Sequence, residues 1–167
     1  VDYVRGRVNL SHATVVSPDA GRIRVAEKWA AKMGNCPLAF IHKTRDTTRP
    51  NVAVANRVVG EVDGRDCVLV DDLIDTGGTI AEAVKVLYKA GAKSVLVAAT
   101  HGVLSHPATQ RLSECGATEV VVTDTLPITG EKRFDKLTIL SIAPLLARAI
   151  KEVFEDGSVT SLFDGVA

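Results

Sequence analysis

The chain has 167 residues, which is enough for one compact domain with its own core and too few for two ordinary domains. We therefore expect a single domain over residues 1–167. Hydrophobic residues make up 46% of the chain but aromatic residues only 4%, so Val, Ala, Leu and Ile must fill the interior, as in a parallel sheet covered by helices. Twenty basic residues balance twenty acidic ones, which argues against a nucleic-acid partner.

Membrane and secretory segments are also not expected. No apolar run approaches the roughly 20 residues that a membrane-spanning helix needs. Residues 1–9 lack the basic start and apolar stretch of a secretory signal. The sequence therefore predicts a cytoplasmic protein with no membrane partner.

Three widely spaced cysteines, Cys36, Cys67 and Cys115, form no CxxC pair and fit no zinc or disulfide pattern. Each lies beside apolar residues, which is typical of small buried thiols. A catalytic cysteine is the alternative.

Short β-rich apolar runs alternate with helical patterns along the chain. The first half predicts a strand at residues 13–17, a helix at 20–33, a strand at 38–42, a charged loop at 43–51, an extended segment at 52–62 and a buried strand at 67–70. The second half predicts a helix at 79–90, strands at 94–100, 119–123 and 137–142, and helices at 107–115 and 142–154. This alternation predicts an α/β fold, a doubly wound and mainly parallel sheet with helices on both faces. Ligands of such sheets bind at the carboxyl ends of the strands.

Two adjacent carboxylates, Asp71 and Asp72, follow the buried strand within residues 68–80, which read VLVDDLIDTGGTI. Charges at the end of a central strand are costly unless something pairs with them, so the position itself indicates a ligand. Carboxylates accept hydrogen bonds from the vicinal hydroxyls of a ribose, or share a divalent metal.

The loop that follows, Asp75-Thr76-Gly77-Gly78-Thr79, opens a predicted helix. Glycines let the backbone approach an anion, N–H groups at a helix start bind phosphate, and the two threonines add hydroxyl donors. The alternative is a simple helix cap by Asp75 or Thr76. A cap accounts for one acid and one glycine, but not for two further carboxylates and a second glycine. The sequence therefore predicts a site for a phosphorylated ribose.

Residues 68–80 resemble the phosphoribosyl pyrophosphate signature of type I phosphoribosyltransferases and of ribose-phosphate pyrophosphokinases. Residues 15–22, VVSPDAGR, resemble the SPDxGG segment of the pyrophosphokinases. The resemblance implies that Asp19 binds a catalytic Mg²⁺. This sequence departs from the family pattern at Arg22, where many members have a second glycine. A turn and helix cap at Pro18-Asp19 is the alternative.

Two further segments resemble the pyrophosphokinases. Residues 40–49, FIHKTRDTTR, are similar to their flexible catalytic loop, which implies that Lys43 and Arg45 face the transferring phosphates. A solvated charged loop is the alternative. Residues 157–163, GSVTSLF, resemble the carboxyl-terminal end of the pyrophosphokinases, which implies that Ser158, Ser161 and Phe163 belong to an allosteric nucleotide site between subunits. The alternative is a C-terminal strand that docks for packing reasons.

The resemblance covers residues 14–163 and only the carboxyl-terminal half of the family's proteins. It implies transfer of the diphosphoryl group of ATP to ribose 5-phosphate with Mg²⁺, giving phosphoribosyl pyrophosphate and AMP. It further implies a homo-oligomer, a hexamer for the full-length protein, and a chain that lacks the adenine-binding half. The alternatives are a phosphoribosyltransferase that consumes phosphoribosyl pyrophosphate and a non-catalytic regulatory relative.

Overall fold

A seven-stranded sheet organises the computed structural model, which describes residues 1–44 and 55–163. The strands are β1 (Ala13–Ser17), β2 (Leu38–Thr44), β3 (Ala55–Val59), β4 (Asp66–Ile74), β5 (Ser94–Gly102), β6 (Glu119–Thr123) and β7 (Leu137–Leu140). Their order in the sheet is β3-β2-β1-β4-β5-β6-β7. All neighbouring strands are parallel except β2 and β3, which are antiparallel. The predicted, mainly parallel sheet is confirmed.

Helices cover both faces of this sheet. They are α1 (Asp2–Arg5), α2 (Ile23–Lys32), α3 (Gly78–Lys89), α4 (Ala108–Glu114) and α5 (Ala143–Phe154), with 3-10 turns at Leu10–His12, Ala20–Arg22, Gly130–Lys132 and Val159–Phe163. Consecutive strand residues point to opposite faces, so Val15 packs with α1 and α2 while Val16 packs with α3 and α4. One hydrophobic core therefore lies on each face of the sheet, which confirms the doubly wound arrangement.

Strand β4 is longer than its apolar run predicts. The sequence predicts a strand at residues 67–70 with both carboxylates after it, but β4 extends to Ile74. Backbone pairing with β5 continues through Asp71 opposite Ala99 and Leu73 opposite His101. Because a neighbouring ladder satisfies the backbone whatever the side chains are, polarity alone does not end the strand. Asp71 and Asp72 therefore lie within the end of β4.

Other boundaries differ for local reasons. The helix predicted from residue 20 begins at Ile23, because Ala20–Arg22 form a 3-10 turn in which the Asp19 side chain caps the Gly21 N–H. The alternative of a C-terminal strand is wrong, since Val159–Phe163 is a 3-10 helix. Of the charged loop predicted at residues 43–51, the first two residues belong to β2 and the remainder lies outside the described residues.

The cysteines are all buried, as predicted. Burial raises the pKa of the Cys67 thiol to about 12, so this group stays protonated and weakly nucleophilic at neutral pH. Within residues 1–44 and 55–163, we find no helix with the length and apolar character needed to cross a membrane.

Candidate functional site

The candidate site lies where the direction of winding changes. From β1 the chain passes through α2 to β2 on one side, and from β4 it passes through α3 to β5 on the other, although β1 and β4 are neighbours. Such a switch point leaves a crevice at the carboxyl ends of the two strands, where open α/β sheets bind ligands. A cavity of about 260 Å³ lies there, lined by Asp19, Arg22, Asp71, Asp72 and residues 73–80.

The two carboxylates of β4 differ in environment. The Asp71 side chain is 15% exposed and that of Asp72 is 38% exposed. Asp71 Oδ1 accepts a hydrogen bond from the Asp72 N–H at 2.8 Å, and Asp72 Oδ1 accepts one from the Leu73 N–H at 2.9 Å. These bonds turn both side chains back toward their own backbone at the rim of the cavity.

Their pKa values move in opposite directions. Burial, helped by the neighbouring carboxylate, raises the pKa of Asp71 to about 6, although a backbone N–H and Arg22 oppose the rise. Burial opposes the shift at Asp72, but hydrogen bonding with Asp71 and the charge of Arg22 outweigh it, so the pKa of Asp72 is lowered. The pair therefore holds its first proton on Asp71 and keeps Asp72 charged.

Arg22, in the 3-10 turn between β1 and α2, faces the two carboxylates. Arg22 Nη2 lies 2.5 Å from Asp72 Oδ2, and Arg22 Nε lies 4.0 Å from Asp71 Oδ1. The sequence showed Arg22 as a departure from the family pattern but did not predict this contact. The signal that could have found it is the adjacency of β1 and β4, which follows only from the strand order.

At the other end of the cavity, a glycine turn begins α3. Gly77 has φ +72°, a conformation that residues with a side chain rarely adopt, and a Cβ there would lie 3.3 Å from Leu112 Cγ. Gly77 is also the N-cap and provides no side-chain cap, so the alternative of a cap by Asp75 or Thr76 is wrong. The first turn of the 12-residue helix α3 therefore presents its backbone N–H groups to the cavity without a capping side chain.

A residue that the sequence did not single out supports this turn. Arg111 of α4 donates from Nη1 to the Thr76 carbonyl oxygen at 3.1 Å. The same nitrogen would lie 3.4 Å from a Cβ added at Gly78. No local pattern identifies such a contact, because 35 residues separate the two partners.

Asp19 lies at the end of β1 and lines the same cavity. The buried Ser17 hydroxyl donates to the Asp19 backbone oxygen at 2.6 Å, and Asp19 Oδ1 accepts from the Gly21 N–H at 2.8 Å. The alternative role of Asp19 as a cap is therefore correct, and it uses one of the two carboxylate oxygens. One carboxylate oxygen remains for a ligand.

The carboxylates around this cavity bear on the predicted Mg²⁺ site. No group of three or more His, Cys, Asp or Glu side chains within the described parts of the chain could hold a metal by itself. Mg²⁺ commonly uses one or two carboxylates and completes its shell with waters and substrate phosphates. Asp19, which lines the same cavity as the glycine turn, fits that mode.

The remaining predicted residues lie partly outside the described structure. Lys43 belongs to β2, which is parallel to β1, so its backbone lies toward the same edge of the sheet as Asp19. The side chain of Lys43 and all of Arg45 are outside the described residues. Ser158 is exposed and its hydroxyl contacts that of Thr160. Ser161 and Phe163 lie in the last 3-10 helix, and their side chains are also outside the described part.

Comparison with known proteins places this geometry in a family. Residues 39–164 match the phosphoribosyl synthetase-associated domain. The chain belongs to this family. It is 71% identical over 166 residues to a ribose-phosphate pyrophosphokinase of Bifidobacterium longum, covering 98% of this chain and 49% of that protein. This chain thus spans about half the length of the curated relatives it matches.

Two solved structures extend the comparison. The phosphoribosylpyrophosphate synthetase of Mycobacterium smegmatis is 61% identical, with a TM-score of 0.84 over 93% of this chain and 49% of that one. The orotate phosphoribosyltransferase of Aeropyrum pernix is 16% identical, with a TM-score of 0.54 over 89% of this chain and 73% of that one. The second likeness shows the fold alone. The expected type I phosphoribosyltransferase-like fold is confirmed.

Proposed function

We propose that this chain binds ribose 5-phosphate as the carboxyl-terminal half of a ribose-phosphate diphosphokinase. That enzyme transfers the diphosphoryl group of ATP to ribose 5-phosphate and yields phosphoribosyl pyrophosphate and AMP. The observation that carries the proposal is one cavity that joins a carboxylate pair to a glycine turn at the start of a helix. A diol and a phosphate are the two groups that those ends suit, and ribose 5-phosphate carries both.

Each end of the cavity receives a role. Backbone N–H groups of residues 75–79, with the hydroxyls of Thr76 and Thr79, hold the 5-phosphate. Asp71 and Asp72 accept hydrogen bonds from the ribose hydroxyls and so orient the sugar ring. Since phosphoryl transfer depends mainly on positioning and on neutralising charge, holding the sugar at both ends is itself a catalytic contribution.

The other roles come from the family pattern. Asp19 would hold Mg²⁺, which when bound neutralises charge on the transferring phosphates. Lys43 and Arg45 would supply further positive charge to the same oxygens. Ser158, Ser161 and Phe163 would contribute to an allosteric nucleotide site.

The single-domain organisation, the cytoplasmic location and the homo-oligomer belong to the same proposal. The matched relatives are about twice the length of this chain, and in this proposal the residues that bind the adenine of ATP lie outside residues 1–167. Apolar side chains exposed along α5, including Ile150 (67%) and Phe154 (89%), are a surface that assembly would cover. The neutral net charge supports the absence of a nucleic-acid partner.

Release of AMP from ATP in the presence of ribose 5-phosphate and Mg²⁺ tests the proposed reaction. The assay compares this chain with the B. longum relative. We expect AMP from the relative, and little or none from this chain although it binds ribose 5-phosphate. Full turnover by this chain alone would contradict the half-enzyme proposal, and failure to bind the sugar phosphate would contradict the proposed substrate.

The variant Lys43→Ala separates chemistry from sugar binding. In a full-length protein that catalyses the reaction, we expect substitution of the lysine that matches Lys43 by alanine to reduce kcat strongly. The Kd for ribose 5-phosphate should stay nearly unchanged. Equal losses of kcat and affinity would contradict the role given to Lys43.

A further inference from the structure

Arg22 occupies the end of the cavity that the proposed sugar hydroxyls would need. Its guanidinium is within hydrogen-bond distance of Asp72 Oδ2, at 2.5 Å, and 4.0 Å from Asp71 Oδ1. The Arg22 side chain also lines the cavity itself. A carboxylate oxygen engaged by a guanidinium offers fewer directions for a hydroxyl donor.

The ion pair between Arg22 and Asp72 is partly exposed, so a ligand can displace it. The Arg22 side chain is 44% exposed and Asp72 is 38% exposed, so water screens their attraction. Arg22 lies at the end of a short 3-10 turn, and its long side chain can swing aside without a change in the sheet. Breaking the pair therefore costs only a modest fraction of the binding free energy.

We propose that Arg22 is a specificity-determining residue that acts as a built-in occupant of the diol subsite. In the ligand-free chain it holds the carboxylate pair, and a sugar phosphate must displace it from Asp72 before its hydroxyls bind. A ligand that lacks the hydroxyls has no means to displace Arg22, so Arg22 lowers affinity for the diol and not for the phosphate. This inference rests on the proposed function, because it takes the carboxylate pair as the diol subsite.

The test compares the affinity for ribose 5-phosphate with the affinity for inorganic phosphate. Arg22 also attracts any phosphate through its charge, and this attraction is similar for inorganic phosphate and ribose 5-phosphate. Dividing the Kd of inorganic phosphate by the Kd of ribose 5-phosphate cancels it and leaves the diol contribution. Calorimetry on this chain and on Arg22→Gln gives both constants. Arg24→Gln is the matched control, since Arg24 is exposed and does not line the cavity.

In Arg22→Gln we expect this ratio to rise by about threefold to fivefold, the upper range for a partly exposed ion pair. Arg24→Gln should leave the ratio unchanged. The rise should be smaller when 2-deoxyribose 5-phosphate replaces the ribose form, because one hydroxyl is missing. In the wild-type chain, added salt should raise the ratio by weakening the ion pair, whereas in Arg22→Gln it should not.

The outcomes separate the two proposals. If wild-type chain binds ribose 5-phosphate no better than inorganic phosphate, and Arg22→Gln does the same, the proposed substrate is wrong and this inference falls with it. If the wild type prefers ribose 5-phosphate but Arg22→Gln leaves the preference unchanged or lowers it, only the role of Arg22 is wrong.

Discussion

The two ends of the cavity are built in different ways. At the carboxylate end, side chains would carry the proposed recognition of the sugar, and they already contact their own backbone and Arg22. At the glycine end, the backbone would carry the proposed recognition of the phosphate. There Gly77 adopts a left-handed conformation, α3 begins without a capping side chain, and Arg111 donates a hydrogen bond to the turn. The first end can be tuned by titration and ionic strength, whereas the second depends on shape. The following changes test that difference.

The largest effect is expected at the glycine end. Gly77→Ala places a Cβ in a left-handed residue and 3.3 Å from Leu112 Cγ, so the turn must shift. We expect a loss of phosphate affinity on the order of a hundredfold and a loss of about 1–2 kcal/mol in unfolding free energy. Gly34→Ala is the control, since Gly34 also has a positive φ (+84°) but follows α2 in open space. It should lose similar stability and retain phosphate binding, as measured by urea unfolding and calorimetry. Retained binding in Gly77→Ala would show that shape at this end is unimportant.

Asp71→Asn tests the carboxylate end and should separate function from stability. We expect a loss of about tenfold in affinity for ribose 5-phosphate, the scale of a hydrogen bond to a charged group, and little change for inorganic phosphate. Asp135→Asn, which changes an exposed carboxylate that does not line this cavity, is the control. A loss of phosphate affinity equal to that for the sugar would contradict separate ends.

Asp71→Asn should also be more stable than the wild-type chain at neutral pH. The pKa of Asp71 is raised to about 6 in the folded chain, so the folded state holds this proton more tightly than the unfolded state. The contribution of Asp71 to stability therefore falls as pH rises through the interval from about 4 to 6, and removing the charge removes that cost. We expect Asp71→Asn to gain about 1–2 kcal/mol in unfolding free energy at pH 7.5 and nothing at pH 4. A gain that is equal at both pH values would have another cause.

Binding of the sugar should depend on pH through the same carboxyl group. As pH falls from 7.5 to 5.5, protonation replaces the charged Asp71 acceptor with a neutral carboxyl group, which accepts more weakly, and should reduce the affinity for ribose 5-phosphate by about fourfold. The phosphate of the ligand titrates near pH 6 as well, so the comparison is with Asp71→Asn, which retains only the ligand's own dependence. Identical pH profiles would show that Asp71 does not accept a hydrogen bond from a sugar hydroxyl.

The smallest effect is expected at Arg111. Arg111→Ala removes the hydrogen bond to the Thr76 carbonyl from an exposed side chain. We expect a loss of phosphate affinity of about threefold, within the range of a single net hydrogen bond, and Arg111→Lys should recover part of it. Calorimetry with inorganic phosphate measures both. A large, unrecovered loss would mean that Arg111 contacts the phosphate directly.

Local pattern was sufficient for much of the fold and for the polar residues of the cavity. Strands β1 and β6 have the predicted bounds, because turn residues and apolar runs mark them clearly. Asp19 and the segment from Asp71 to Thr79 meet in one cavity because parallel strands end at the same edge. The roles of these residues remain proposals.

The parts that the sequence did not predict depend on neighbours in space. The extra length of β4 comes from its ladder with β5, and the contact of Arg22 with Asp72 comes from the adjacency of β1 and β4. Arg111 acts on Thr76 from a different helix. No window of sequence contains both partners of any of these interactions, so hydrophobic periodicity cannot find them.

A crystal structure of this chain with ribose 5-phosphate would test the central claim most directly, namely that one ligand spans both ends of the cavity. We predict phosphate oxygens about 3 Å from backbone nitrogens of residues 76–79, and ribose hydroxyls about 2.7 Å from carboxylate oxygens of Asp71 and Asp72, with Arg22 turned away from Asp72. A phosphate bound away from the start of α3, or a sugar whose hydroxyls do not reach either carboxylate, would contradict the account.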